Sequence, residues 1–224
     1  MDISPEVTLR PAVPADAHAA APLIREAGPA LFDRLFGPRP QDALRFFEWL
    51  FARPAVPFSH EAALLAVREG EVVGLALATT ANARRRNSWR MLSLLPRRRG
   101  LWALLRLVPV AHAFRHASAP PPPDCYYLSI LAVRADERGR GIGGLLLSAI
   151  DQRAREAGCA AVCLHAELDN ARALRLYARH GYKVTAEYRT PRAARWGVAG
   201  FAALRKEVPS PALRADPPLG GEGG

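Results

Sequence analysis

The chain has 224 residues, half of them hydrophobic and 23% charged, which excludes a disordered or fibrous chain and fits one large domain. Lys and Arg outnumber Asp and Glu 31 to 21, a formal charge of +10. Arginine supplies 29 of those 31 cations, a bias that reads as a GC-rich, bacterial genome. No run reaches the ~18 uninterrupted apolar residues of a membrane span. The opening Met1-Asp2-Ile3-Ser4-Pro5-Glu6 is acidic and lacks a basic-then-apolar targeting pattern. Three cysteines without CxxC spacing argue against a disulfide framework or a structural zinc site. The expectation is therefore a cytoplasmic protein with reduced thiols.

Val7-Thr8-Leu9-Arg10 reads as a short strand, followed by Pro11 and Pro14. Asp16 is placed to cap a helix running to about Ala27, where Gly28-Pro29 stops it. Asp42 caps a second helix through Phe51, with Leu44, Phe47, Leu50 and Phe51 on one face. Ala63 to Val67 and Val72 to Thr79 read as strands joined by the hairpin turn Arg68-Glu69-Gly70-Glu71. Residues 81–124 then break the rhythm. Ser88 to Leu95 and Leu101 to Arg115 look helical, but Pro96 and Pro109 interrupt them. Pro120 to Pro123 make a short polyproline spacer.

Nine arginines and no acidic residue lie between Ala81 and Pro123, nearly the whole charge excess. The segment reads as a solvated face or as a surface for nucleic acid, acidic lipid or a phosphorylated ligand. Leu101-Trp102-Ala103-Leu104-Leu105, followed by Arg106, suits a helix packed on the core and, less well, one lying on a membrane surface. His112 and His116 are four apart but lack a third ligand for zinc.

Beyond the spacer, Tyr126 to Val133 is a strong strand and Ile142 to Ala157 a helix ended by Gly158. Ala161 to Glu167 is the next strand, and Ala171 to His180 a helix ended by Gly181. Tyr182 to Tyr188 and Phe201 to Val208 are the last strands. The Pro/Gly-rich stretch 209–224 is expected to be disordered. Cys125, Cys159 and Cys163 sit in or beside strands and read as buried small hydrophobes.

The most informative stretch is Arg138-Gly139-Arg140-Gly141-Ile142-Gly143-Gly144, which follows a strand and opens a helix. Free amides and the helix dipole make such a turn a phosphate site. Glycine lets the backbone approach the anion and adopt positive φ, and Arg138 and Arg140 add positive charge. Gly139, Gly141 and Gly144 match G-x-G-x-x-G, with Glu167 at a suitable distance. A dinucleotide fold is nonetheless rejected. Five residues, Arg134 to Arg138, four of them charged, separate the strand from the first glycine, and too little chain follows for a second half-sheet. The opening order of one strand, two helices and two strands is not βαβ. A P-loop fails because no Gly-Lys-Ser/Thr is present.

The alternative pattern is R-x-x-G-x-G, here Arg138, Gly141 and Gly143. Leu131-Ala132-Val133, this loop and Leu146-Leu147 together resemble the acetyl-CoA signature of the GNAT superfamily of N-acetyltransferases. Asn170-Ala171-Arg172-Ala173-Leu174-Arg175-Leu176-Tyr177, with His180-Gly181-Tyr182, resembles the second half of that signature. The close match covers about residues 125–182, and element order extends it over 7–208. The resemblance implies an α/β (α+β) fold in one domain, 7–208, with 81–124 as a helical insertion. Its mixed sheet has two central parallel strands that splay, here Tyr126–Val133 and Ala161–Glu167. It also implies that acetyl-CoA lays its pantetheine arm along Leu131, Ala132 and Val133. The pyrophosphate rests on the amides of Arg138, Gly139, Arg140, Gly141, Ile142, Gly143 and Gly144. Asn170 matches a residue that bonds the cofactor arm, and Tyr177 one that protonates the departing thiolate.

These roles fit the chemistry. A neutral amine attacks the thioester, a strand amide can stabilise the oxyanion, and a phenol can protonate the leaving sulfur. The general base stays open. Some relatives carry a glutamate five residues before the asparagine, where this chain has His165. Glu167 shares the strand parity of His165 and is a second candidate, and water is a third. No metal site is expected. The acceptor is expected to be a primary amine of a small molecule or a protein. Helix 42–53, with Leu31, Phe32, Leu35 and Phe36, could wall its cleft, and the basic insertion could cover it and favour an anionic substrate. The competing reading is a catalytically weak module that senses CoA or binds nucleic acid through the insertion.

Overall fold

Seven strands pair into one mixed sheet in this computed structural model, which describes residues 6–28, 32, 39–99, 120–189 and 199–208. The strands are β1 (Thr8–Pro11), β2 (Ala63–Arg68), β3 (Glu71–Thr80), β4 (Cys125–Val133), β5 (Ala161–Glu167), β6 (Lys183–Arg189) and β7 (Gly200–Glu207). Their order is β1-β2-β3-β4-β5-β7-β6. β4 and β5 run parallel and every other neighbouring pair is antiparallel. This mixed order rules out the dinucleotide alternative, whose sheet is mostly parallel. Five α-helices accompany it among the described residues: α1 (Ala17–Glu26), α2 (Pro40–Phe51), α3 (Ala81–Arg99), α4 (Ile142–Glu156) and α5 (Ala171–Arg179).

The helices cover the two faces separately, and each face has its own core. On one face Phe47 and Phe51 of α2 and Leu23 and Ile24 of α1 pack on Leu65, Leu75, Leu77, Ile130 and Ala132. On the other, Leu146, Leu147 and Ile150 of α4 and Tyr177 of α5 pack on Leu64, Ala78, Leu128, Val162 and Leu164. The α2 face that buries Phe47, Leu50 and Phe51 is the one the apolar spacing predicts. α3 docks on α2 through Met91 and Leu94, which meet Phe46, Leu50 and Val56.

Several expectations need correction. Asp16 stands at the N-cap position of α1, as expected, but its side chain makes no capping bond: the carboxylate accepts two bonds from Arg10, at 2.7 and 2.8 Å, and one from the Val13 amide. α2 begins two residues ahead of Asp42, with Pro40 at its first turn, where a missing N–H costs nothing. α3 is one helix from Ala81 through Pro96 rather than a segment starting at Ser88, and Thr80 Oγ1 accepts the Ala83 amide at its start. The predicted helix 101–115, with His112 and His116, lies outside the described residues, as do Leu31, Leu35, Phe36 and the stretch 209–224. Two of the three cysteines are not reduced: Cys125 on β4 and Cys163 on β5 are joined, with Cα atoms 5.8 Å apart, while Cys159 is free and buried. The two lie 38 residues apart in sequence, and only the parallel register brings them onto one face.

Candidate active site

The site begins where β4 leaves β5. Their pairing runs from Cys125↔Ala161 to Leu128↔Leu164 and then stops. The cause lies on the other side of β4. There Leu77 pairs with Ile130 but Ala78 with Leu128, so Ser129 is an extra, bulged residue. A bulge bends its strand and sharpens the twist. It also flips the alternation: Tyr127, under Arg84 of α3, and Ile130, packed with α1 and α2, lie on one face, and Leu128 and Leu131 on the α4/α5 face. β4 from Ser129 to Val133 therefore presents to β5's side an edge without ladder partners there, open to an extended ligand.

That edge leads into the glycine-rich turn. Gly139 and Gly141 adopt φ of 89° and 83°, the left-handed region that favours glycine, and a Cβ at either would meet nothing within 4 Å. Leu145 donates the first α4 hydrogen bond to the Gly141 carbonyl at 3.0 Å. The amides of Ile142, Gly143 and Gly144 precede it, at the positive end of the helix dipole. A Cβ at Gly144 would stand 2.6 Å from His180 Nε2, and one at Gly143 3.1 Å from Leu176 Cδ2, so these glycines bring α4 close to α5. A diphosphate fits such a turn. The two arginines are turned to other tasks. Arg138 donates to the Val133 carbonyl at 2.9 Å and to Glu26 of α1 at 3.0 Å. Arg140 lies 3.6 Å from Glu137. The charge offered to an anion is thus chiefly that of the backbone.

α5, which packs against the start of α4, begins after Asn170 and carries Tyr177. Asn170 caps the helix, its Oδ1 accepting the Ala173 amide at 3.0 Å, and its Nδ2 is the group left to donate. Tyr177 is buried, edge-on to Tyr182 at 5.7 Å between centroids. Burial, with Tyr127 nearby, pushes the phenol's pKa well up, so it holds its proton at neutral pH. Tyr182 in turn donates to the buried Asp151 at 3.4 Å, and Asp151 is bonded to Lys206.

On the opposite face, β5 presents His165 and Glu167, as their shared parity predicts. His165 Nδ1 lies 3.0 Å from the Tyr127 hydroxyl, and its ring is flanked by Tyr188. Burial, aided by the positive charge of Arg84, lowers its pKa to about 4, so the imidazole is neutral at pH 7. Burial, with Asp169 close by, raises the Glu167 carboxyl above its ordinary value. The two base candidates therefore move in opposite senses, and Glu167 gains basicity where His165 loses it. Among the described residues no cluster of His, Cys, Asp and Glu could hold a metal ion. Nor, among them, is any helix long and apolar enough to cross a membrane.

The fold sets α5 against the start of α4, so the two motifs lie side by side. It also adds Tyr127, the Ser129 bulge, Tyr188 and Arg84, which sequence reasoning missed as site residues. The signal for Tyr127 was an aromatic two residues before the bulge, legible only once β3 and β4 are in register.

A family model described as "Acetyltransferase (GNAT) family" matches residues 24–182. A crystal structure of an acetyltransferase is 24% identical and superposes with a TM-score of 0.70, over 90% of this chain and 100% of that one. An N-acetyltransferase from Staphylococcus aureus Mu50 is 18% identical, with a TM-score of 0.63 over 89% and 100%. The ribosomal-protein-S18-alanine N-acetyltransferase from Escherichia coli is 13% identical, with a TM-score of 0.51 over 91% and 94%. Comparison with curated proteins returns no match.

Proposed function

Because the chain belongs to the GNAT family of acetyltransferases, we propose that it moves an acetyl group from acetyl-CoA to a primary amine by direct attack in a ternary complex. The observation that carries this reading is the parting of β4 from β5 beyond Leu128 and Leu164, opening onto the turn at Arg138–Gly144. Acetyl-CoA lays its pantetheine arm along Leu131, Ala132 and Val133. Its diphosphate takes the amides of Arg138, Gly139, Arg140, Gly141, Ile142, Gly143 and Gly144, and the Asn170 amide holds the arm.

The acceptor amine attacks the thioester carbonyl, the C–N bond forms and the C–S bond breaks. A β4 amide in the splay steadies the oxyanion. Tyr177, protonated at neutral pH, gives its proton to the departing sulfur. Glu167, directly or through a water, takes the amine's proton. It is favoured over His165 because its shift is towards neutrality, whereas an imidazole with a pKa of about 4 is a poor acceptor of an ammonium proton. His165 then holds Tyr127 in place. Family membership favours acyl transfer over the module that only senses CoA or binds nucleic acid.

The test is the thermal unfolding midpoint with acetyl-CoA, with NAD as control. A ligand at about 100 times its dissociation constant adds roughly 2.7 kcal/mol. A rise with acetyl-CoA and none with NAD is expected. No rise with acetyl-CoA or with longer acyl-CoAs would sink the proposal.

A further inference from the structure

The next step rests on the reading that the chain acylates an amine, and names the class of amine. Arg84 stands in the first turn of α3, directly after β3. Its guanidinium carbon lies 4.6 Å from the centroid of the Tyr127 ring, and its charge is felt by His165. Several arginines elsewhere in the fold are neutralised: Arg10 by Asp16, Arg68 by Glu137, Arg138 by Glu26, and Arg205 by Asp124 and Glu207. Arg84 meets no carboxylate among the described residues, and the sequence of α3 contains no acidic residue. On the same face, His165 Nε2 is buried without a hydrogen-bond partner among the described residues. Arg84 and Arg85 also line a groove of about 430 Å³ between α3 and the Pro120–Pro123 segment, with Trp89, Leu92 and Pro120 as its apolar wall.

We propose that the acceptor is a zwitterion, a primary amine whose own oxyanion is held by Arg84 at the mouth of this groove while the amine reaches along β5 toward Glu167. An arginine held on Tyr127 without a carboxylate partner, on the face that must admit an amine, repels a plain cation and draws one that brings its own counter-charge. The guanidinium fork suits a carboxylate or a phosphonate through two parallel N–H···O bonds. Neutral His165 adds no second positive charge on this face.

The test compares ω-amino carboxylates and ω-aminoalkylphosphonates with their methyl esters, under saturating acetyl-CoA, in the wild type, Arg84→Gln and Arg84→Lys. The wild type is expected to prefer the anionic form at least tenfold in kcat/KM. Arg84→Gln should erase that preference mainly through KM, and Arg84→Lys should keep part of it. Calorimetric binding of the same pairs, with and without CoA, makes the comparison without turnover. Preference for either oxyanion, lost in Arg84→Gln, supports the proposal. Esters that bind or react as well as the free acids, or a preference that survives Arg84→Gln, overturn it. The acetyl-CoA thermal shift should be the same in all three proteins; its absence would strike the acyl-transfer reading instead, while the calorimetric comparison still decides this one.

Discussion

Glu137, the residue just before the Arg138–Gly144 turn, is buried among three arginines. Its Oε2 lies 2.7 Å from Arg68 Nη1 on β2 and 3.6 Å from Arg140 Nε, and its Oε1 lies 3.7 Å from Arg134 Nη2. The Arg68 and Glu137 side chains are each only 11% exposed, whereas Arg134 and Arg140 reach water at 41% and 55%. Glu137→Ala leaves the Arg68 guanidinium enclosed with no counter-charge and two further cations close by. Removing one partner of a buried pair costs about 3–5 kcal/mol. Water can take over Arg134 and Arg140, so the low end, about 3 kcal/mol, is expected here. Urea denaturation at pH 7 should show that loss as a lower midpoint with an unchanged m-value. The turn is anchored through the same carboxylate, so KM for acetyl-CoA should rise as well. Replacing both Arg68 and Glu137 with Met should recover most of the stability, since a well-packed apolar pair can replace an ion pair. A loss below about 1 kcal/mol in Glu137→Ala, or a double variant no better than the single, would refute the reasoning.

Tyr177→Phe keeps the edge-on contact with Tyr182 and removes the acidic proton, so kcat should fall by about 100-fold or more while the acetyl-CoA thermal shift is unchanged. A fall of less than about threefold, or parallel loss of cofactor binding, would count against the acid role. His165 makes stability acid-sensitive. Its folded pKa, about 4, lies below the ordinary 6.5, so the unfolded chain takes up the proton first. Stability is complete above pH about 6.5 and falls as the pH drops towards 4, by about 1–2 kcal/mol once the partial exposure of the ring is discounted. His165→Gln should flatten the profile in that window, and equal acid sensitivity of variant and wild type would speak against a depressed imidazole.

Much of the fold was legible because local chemistry and tertiary need agree. β5 has the predicted bounds Ala161–Glu167, since a strand covered on both faces reads as a bounded apolar run. Glu69 and Gly70 take the positive φ that the predicted hairpin requires. The α3 start was missed because a polar, arginine-rich sequence carries little apolar periodicity; Met91 and Leu94 bury a narrow stripe against α2 and leave Trp89 exposed. Asp16 was misread because a capping carboxylate and an arginine partner look alike in sequence, and Arg10 lies within reach only after the Pro11–Pro14 segment turns.

The turn at Arg138–Gly144 and the Asn170–Tyr177 helix could be read from the residues themselves, because positive φ, free helix-end amides and a capping asparagine are local properties of a few consecutive residues. Register and its consequences could not. The bulge at Ser129, the end of β4–β5 pairing at Leu128 and Leu164, the joining of Cys125 to Cys163, the turning of Arg138 to Glu26, and the placing of Arg84 over Tyr127 each depend on residues between 36 and 112 positions apart (164 − 128 = 36 for the closest). Side-chain alternation in a strand has a period of two, so one extra residue reverses every face beyond it. Which residue is extra is decided by how α1, α2 and α3 on one face and α4 and α5 on the other share the same sheet.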